Sequence, residues 1–121
     1  MPVMRYAEVL LNYAEASART GALADAAALL NAVRKRSDAT YSFSSADLAS
    51  QTALTNLVIT ERRIELLGEG FRVPDVQRLM LPIPGKAALS CIAPTSDPTA
   101  TLYIWPISSE ELGTNKLMTP N

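Results

Sequence analysis

Between residues 52 and 67 a helical pattern runs on through charges that a protein core rejects. At 100° per residue, Leu54, Leu57, Val58, Glu61 and Glu65 fall on one face, so two carboxylates stand where the apolar stripe should continue. An ionised carboxylate without a partner is very costly to bury, so a face of this kind can pack inward only if guanidinium groups meet it. The nearby sequence offers Arg62 and Arg63, then Arg72 and Arg78 beyond a Gly68-Glu69-Gly70 turn, with Glu69 and Asp75 as further acids. The expected arrangement is a helix, a turn permitted by glycine, and a return, cross-linked by planar carboxylate–guanidinium pairs. Glu61, Arg62, Glu65, Glu69, Arg72, Asp75 and Arg78 are the candidate members of that structural network.

The clearest helix spans residues 5–20. Tyr6, Ala7, Leu10, Leu11, Tyr13, Ala14, Ser17 and Ala18 lie on one side, opposite Glu8, Asn12, Glu15 and Arg19. Gly21 suits a left-handed position after its last turn, and a second helix is expected from about Ala22 to Arg36. A helix–Gly–helix pair with alanines at the contact is the pattern of a tetratricopeptide-like hairpin. No second copy follows, and a lone repeat cannot cover both of its faces, so the hairpin should pack on the later helix or on further material. Residues 37–44 read as a loop, and Ser44-x-x-Asp47 as the cap of a short helix to about Ser50.

Past Arg78 the character changes. Six of the eight prolines, at 82, 84, 94, 98, 106 and 120, lie here and oppose sustained helix. Leu102-Tyr103-Ile104-Trp105 is a short apolar run with the makings of a strand, and Ser109–Leu112 offers one helical turn. Residues 85–101 read as a mobile loop. The expected fold is mainly α, in one domain over residues 1–121: a helical hairpin at 5–37, helices with the charged signature at 45–79, and an irregular proline-rich tail at 80–121.

Much chemistry is excluded. The chain has no histidine and one cysteine, Cys91, which removes intrachain disulfides, Cys/His zinc sites and histidine triads. A net charge of −1 with dispersed basic residues gives no footprint for nucleic acid. No apolar run approaches a membrane span, and the opening residues carry no export segment. Ala88-Leu89-Ser90-Cys91 has the look of a lipoprotein cleavage box, but its depth in the chain makes coincidence the better reading. No cofactor motif is present.

Three blocks resemble the SusD/RagB family of outer-membrane nutrient-binding proteins. The first is Glu61-Arg62-Arg63-x-Glu65-Leu66 followed by Glu69-Gly70-x-Arg72-x-x-Asp75-x-x-Arg78, similar to a signature near the family's carboxyl end. Upstream, Arg5-Tyr6-Ala7-Glu8-Val9-Leu10-Leu11 with Tyr13-Ala14-Glu15-Ala16, and Leu30-Asn31-x-Val33-Arg34-x-Arg36, resemble its helical hairpin. Downstream, Trp105-Pro106-Ile107 with Glu111 and Asn115 resembles its closing Pro-Ile-Pro segment, with Ser108 in place of the second proline and Val73-Pro74 in place of an aromatic-containing pair.

Members of that family are several times longer, so the chain is expected to be a shortened form covering the C-terminal part. The resemblance implies no enzyme, but a component of a SusCD-type (starch-utilisation-like) system. It would capture oligosaccharides or peptides at the outer face of the outer membrane for a SusC-like TonB-dependent transporter, in a family of lipoproteins. A helical protein–protein interaction module is the alternative, and a hydrolase using Glu61 and Glu65 a third reading. Tyr41, Phe43 and Tyr103 are the aromatic candidates for ligand stacking, each weighed against packing, and Trp105 is expected to fill a core or seam. If Glu61 belongs to a buried network, replacing it with glutamine should cost a few kcal/mol.

Overall fold

The computed structural model describes residues 4–88, 91–100 and 103–120, and the chain divides into two compact units, Met1–Arg72 and Val73–Asn121. The fold is mainly helical, with one two-stranded sheet.

In the first unit, α1 (Tyr6–Thr20) and α2 (Leu23–Ser37) form the tetratricopeptide-like hairpin. The turn between them is set by backbone geometry. Gly21 sits at φ 88°, its N–H bonds the Ala18 carbonyl at 3.2 Å, and the Ala22 N–H bonds the Ser17 carbonyl at 2.9 Å. That reciprocal pair satisfies the last carbonyls of α1 and needs a left-handed residue, which glycine adopts without penalty. Ala14, Ala18 and Ala26 are wholly buried, so the two helices meet through small side chains.

A short helix α3 (Ser45–Leu48) follows, held by a reciprocal cap. Asp47 N–H donates to Ser44 Oγ at 3.2 Å, and Ser44 N–H donates to the Asp47 carboxylate at 3.3 Å. Next, α4 (Gln51–Glu65) starts at Ser50, whose hydroxyl accepts from Ala53 N–H at 3.1 Å. Arg5 reaches Glu65, Asn12 meets Arg62, and the Arg19 carbonyl accepts from Gln51, so α4 runs antiparallel to α1. Leu11, Leu30, Leu54 and Val58 fill the space between α1, α2 and α4, with Phe43 tucked into the same core. Gly68 and Gly70, both at positive φ, close the unit with a tight turn after α4.

The second unit opens at Val73, one residue into α5 (Arg72–Arg78). Its end repeats the geometry seen at Gly21 without the glycine. Met80 stands at φ 51°, its N–H bonding the Gln77 carbonyl at 3.1 Å, while Leu81 N–H bonds the Val76 carbonyl at 2.9 Å. Tyr103 is 3% exposed and places its hydroxyl 3.0 Å from the Val76 carbonyl and 2.7 Å from that of Leu81. The Gln77 amide donates back to the Tyr103 carbonyl at 3.2 Å.

Residues 85–101, expected as a mobile loop, contain regular structure instead. Strand β1 (Lys86–Ala88) pairs antiparallel with β2 (Cys91–Ala93), extended by a bridge between Ile83 and Ser96. Three-residue strands have no room for period-2 alternation, so the pattern carried no sign of them. Gly85 is what permits the pairing: a Cβ there would lie 2.6 Å from the Ala93 carbonyl oxygen. Tyr103 and Ile104 form a bend rather than part of a strand, and Leu102 lies outside the described residues. Leu89 and Ser90 of the cleavage-box look-alike also lie outside them. Helix α6 (Ser109–Thr114) begins where the sequence placed a turn and runs on through Gly113, capped by Ser108, which accepts from Glu111 N–H at 3.2 Å.

Two substitutions test the second unit. Met80→Gly relieves a left-handed conformation that disfavours a Cβ and should raise stability by about 0.5–1 kcal/mol in urea denaturation. Gly85→Ala forces the hairpin strands apart and should lower it by about 1–3 kcal/mol.

Candidate functional site

The charged end of α4 is gripped by arginines of the hairpin. Arg5, just before α1, donates from Nη1 to Glu65 Oε1 at 3.0 Å and from Nη2 to the Glu65 carbonyl at 2.9 Å. It also holds Glu69 in the following turn, through Nε at 2.9 Å and Nη2 at 2.6 Å. Arg36, in the last turn of α2, places Nη2 at 2.6 and 2.7 Å from the two oxygens of Glu65. Arg34, one half-turn earlier, reaches Glu61 at 3.5 Å. Hydrogen bonds to Glu69 and then Glu65 raise the affinity of the Arg5 guanidinium for its proton above the ordinary value.

The carboxylates expected to need arginines thus have them, from a different source. Glu61, Glu65 and Glu69 are met by Arg5, Arg34 and Arg36 rather than by Arg62, Arg63, Arg72 or Arg78. Helical geometry explains the difference: Arg62 and Arg63 follow Glu61 by one and two positions and point away from it. Arg62 is buried and donates to the Asn12 side chain. Asp75 pairs with Arg78 one turn on along α5, at 2.9 Å. Arg63 and Arg72 have no ion-pair partner among the described residues. The sequence contained Arg5, Arg34 and Arg36, but nothing in local spacing connects them to residues about 30–60 positions away.

The two carboxylates of α4 differ. Glu65 receives four N–H contacts on its carboxylate and carbonyl from two guanidiniums. Glu61 is 4% exposed and has one distant cation, so burial, opposed by Arg34, pushes its carboxyl above the ordinary glutamate value of 4.5, with the Glu65 charge adding to the rise.

The aromatic candidates fall into two groups. Phe43 and Tyr103 are 7% and 3% exposed, enclosed within their own units, and offer no face to a ligand. Tyr41 is partly covered: the Arg34 guanidinium stands 4.3 Å from its ring centre, and Phe43 packs edge-on at 5.0 Å. Trp105, expected to fill a core or seam, is instead 89% exposed, while its neighbour Tyr103 takes the buried position. The single phenol O–H stands within reach of both the Val76 and Leu81 carbonyls, nearer to Leu81, at the end of α5, whereas an indole has a donor of different reach.

A groove of about 550 Å³ lies between the start of α1 and the end of α2, walled by Met4, Tyr6, Leu10, Ala32 and Val33 with Arg5 and Arg36. Neither Glu61 nor Glu65 lines it. A two-carboxylate hydrolytic site needs an acid and a base facing one open space, and these two are instead committed to the hairpin. Among the described residues no cluster of His, Cys, Asp or Glu could hold a metal ion, and no helix is long and apolar enough to cross a membrane.

Fold and charge network together define a mainly helical scaffold in which a tetratricopeptide-like hairpin locks the acidic end of a third helix. The model of the SusD family matches residues 1–83, and the chain belongs to that family. It is 28% identical to a SusD-like protein P38 of Formosa agariphila over 124 aligned positions, covering 98% of this chain and 24% of that protein. The chain therefore spans about a quarter of the length of this curated relative. No solved structure matches it significantly.

The two glutamates should respond differently to neutralisation. Glu65→Gln weakens charge-assisted bonds from Arg5 and Arg36 and should cost roughly 1.5–3 kcal/mol in denaturant unfolding. Glu61→Gln should cost under about 1 kcal/mol at neutral pH rather than the few kcal/mol expected of a tightly paired buried carboxylate, because its one cation stands at 3.5 Å and glutamine removes a charge whose burial outweighs that pairing. The native state holds the Glu61 proton more tightly than the unfolded chain does. Its contribution to stability is therefore greatest below 4.5 and falls as pH rises through the interval up to the raised value. Glu61→Gln should remove that part of the pH dependence, measured by unfolding across the interval.

Proposed function

We propose that the chain is the C-terminal part of a nutrient-binding component of a SusCD-type uptake system, a single domain that captures oligosaccharides or peptides and passes them to a TonB-dependent transporter. Capture and release are non-covalent, and no bond is made or broken. The site of action is the cell-surface side of the outer membrane. The observation that carries this reading is the family match over residues 1–83, which covers both the hairpin and the Glu61–Arg78 signature. The commitment of Glu61 and Glu65 to Arg34, Arg5 and Arg36 supports a binding rather than hydrolytic role. Residues 59–79 act as scaffold in this reading, with ligand contact made elsewhere.

A protein-contact role for the hairpin is favoured by a separate observation. Tyr6, Val9 and Tyr13, spaced three and four residues apart on α1, are all exposed and form one apolar stripe. Isothermal titration of the native protein with a panel of oligosaccharides and peptides tests the first reading. Binding of at least one class is expected, with affinity unchanged in folded Glu65→Gln protein. Absence of heat with every member, alongside co-purification of a transporter, would leave only the contact role.

A further inference from the structure

Two groups compete for the guanidinium of Arg34. Its Nη1 is 3.5 Å from Glu61 Oε2, at the outer limit of a hydrogen bond. Its Cζ stands 4.3 Å from the centre of the Tyr41 ring, within the range of a cation–π contact. Its Nε is buried with no hydrogen-bond partner. A guanidinium given wholly to a carboxylate presents two parallel N–H groups at about 2.7–2.9 Å. Arg34 instead holds a compromise position between helix α4 and the loop at 38–44.

The charges around this contact are few. On α4, Glu65 lies one turn beyond Glu61 and is engaged by Arg5 and Arg36, while Arg62 donates to Asn12. Arg5 stands at the N-cap of α1, and the helix itself carries the buried Glu8 and Glu15, the latter paired with Arg19. Helix α2 carries Arg34, Lys35 and Arg36 in its last turn and Asp25 in its first, and α3 contributes Asp47, held by Ser44. The loop brings Asp38, bonded by Thr40 and sensing Arg34.

We propose that Arg34 is a shared cation whose position is set by the charge on Glu61: proton binding at Glu61 releases the guanidinium toward the Tyr41 ring and tightens the anchoring of the 38–44 loop. Glu61 is the α4 carboxylate that reaches Arg34, and losing its charge leaves the guanidinium to the Tyr41 ring and to Asp38, both on the loop side. The 38–44 loop thereby gains a proton-dependent hold on α2. Phe43, packed edge-on to Tyr41 and buried in the core, carries the change into the hairpin.

Side-chain NMR on labelled protein from about pH 3 to about pH 8 tests this, since the window brackets ordinary carboxyl titration. The Glu61 carboxyl carbon and the Arg34 Hδ and Hε protons should share one midpoint above 4.5, with the ring-current shift on Arg34 growing as acid is added. In Glu61→Gln protein the Arg34 signals should stay at their acid-limit positions between pH about 4.5 and about 8, above ordinary aspartate titration. In Tyr41→Leu protein, which keeps an apolar side chain at the site, the ring-current shift should vanish. The Glu61 midpoint should also fall, because coupling between the two contacts is reciprocal. Asp38, held by Thr40 below its ordinary 3.8, titrates in a separate range. Arg34 signals that follow Asp38, that still titrate in that window in the Glu61→Gln protein, or a Glu61 midpoint unmoved by Tyr41→Leu would overturn the proposal.

Discussion

The architecture of the first unit depends on Glu65 meeting two arginines that lie far from it in the chain. Arg5 approaches from the start of α1 and Arg36 from the end of α2, so a single carboxylate ties three helices at one level. Arg5 also donates to the Glu65 carbonyl and grips Glu69, which fixes how α4 ends and how the Gly68–Gly70 turn leaves it. Charge-assisted bonds of this kind are among the stronger polar contacts, and they set geometry as well as energy. With that end clamped, Leu54 and Val58 have one way to lie against Leu11 and Leu30.

One turn earlier on the same helix the balance is different. Glu61 is buried as deeply as the hydrophobic residues beside it, yet its one cation stands at 3.5 Å and is shared with an aromatic ring. Desolvation outweighs attraction there, so the ionised form is disfavoured. Two glutamates of the same signature thus sit in different surroundings: Glu65 is gripped by two guanidiniums, and Glu61 is buried with its carboxyl pushed above the ordinary value. Both glutamates lie within residues 1–83, the stretch matched by the SusD family model.

Much of the helical plan was legible before any coordinates. Both hairpin helices, the stop at Gly21, the capped turn at Ser44 and the helix ending before Gly68 all rest on interactions within a few residues, which spacing reveals. The hairpin of β1 and β2 left no trace in the pattern because its three-residue strands are too short to show a period. The exchange of Tyr103 and Trp105 was equally hidden. Which aromatic turns inward depends on the Val76 and Leu81 carbonyls at the end of α5, and no local pattern encodes their position.

From the residues alone one could conclude that acids interrupt the inner face of a helix and that guanidiniums must come to meet them, since burying unpaired charge is prohibitive. Which guanidiniums come was settled by packing. The obvious neighbours Arg62 and Arg63 share a helix with Glu61 and cannot turn back to it, whereas chain reversal at Gly21 and the antiparallel set of α1 and α4 deliver Arg5, Arg34 and Arg36. A need for charge balance is local and can be read along a chain. The identity of the partner is a matter of distance in space, which exists only once the helices have docked.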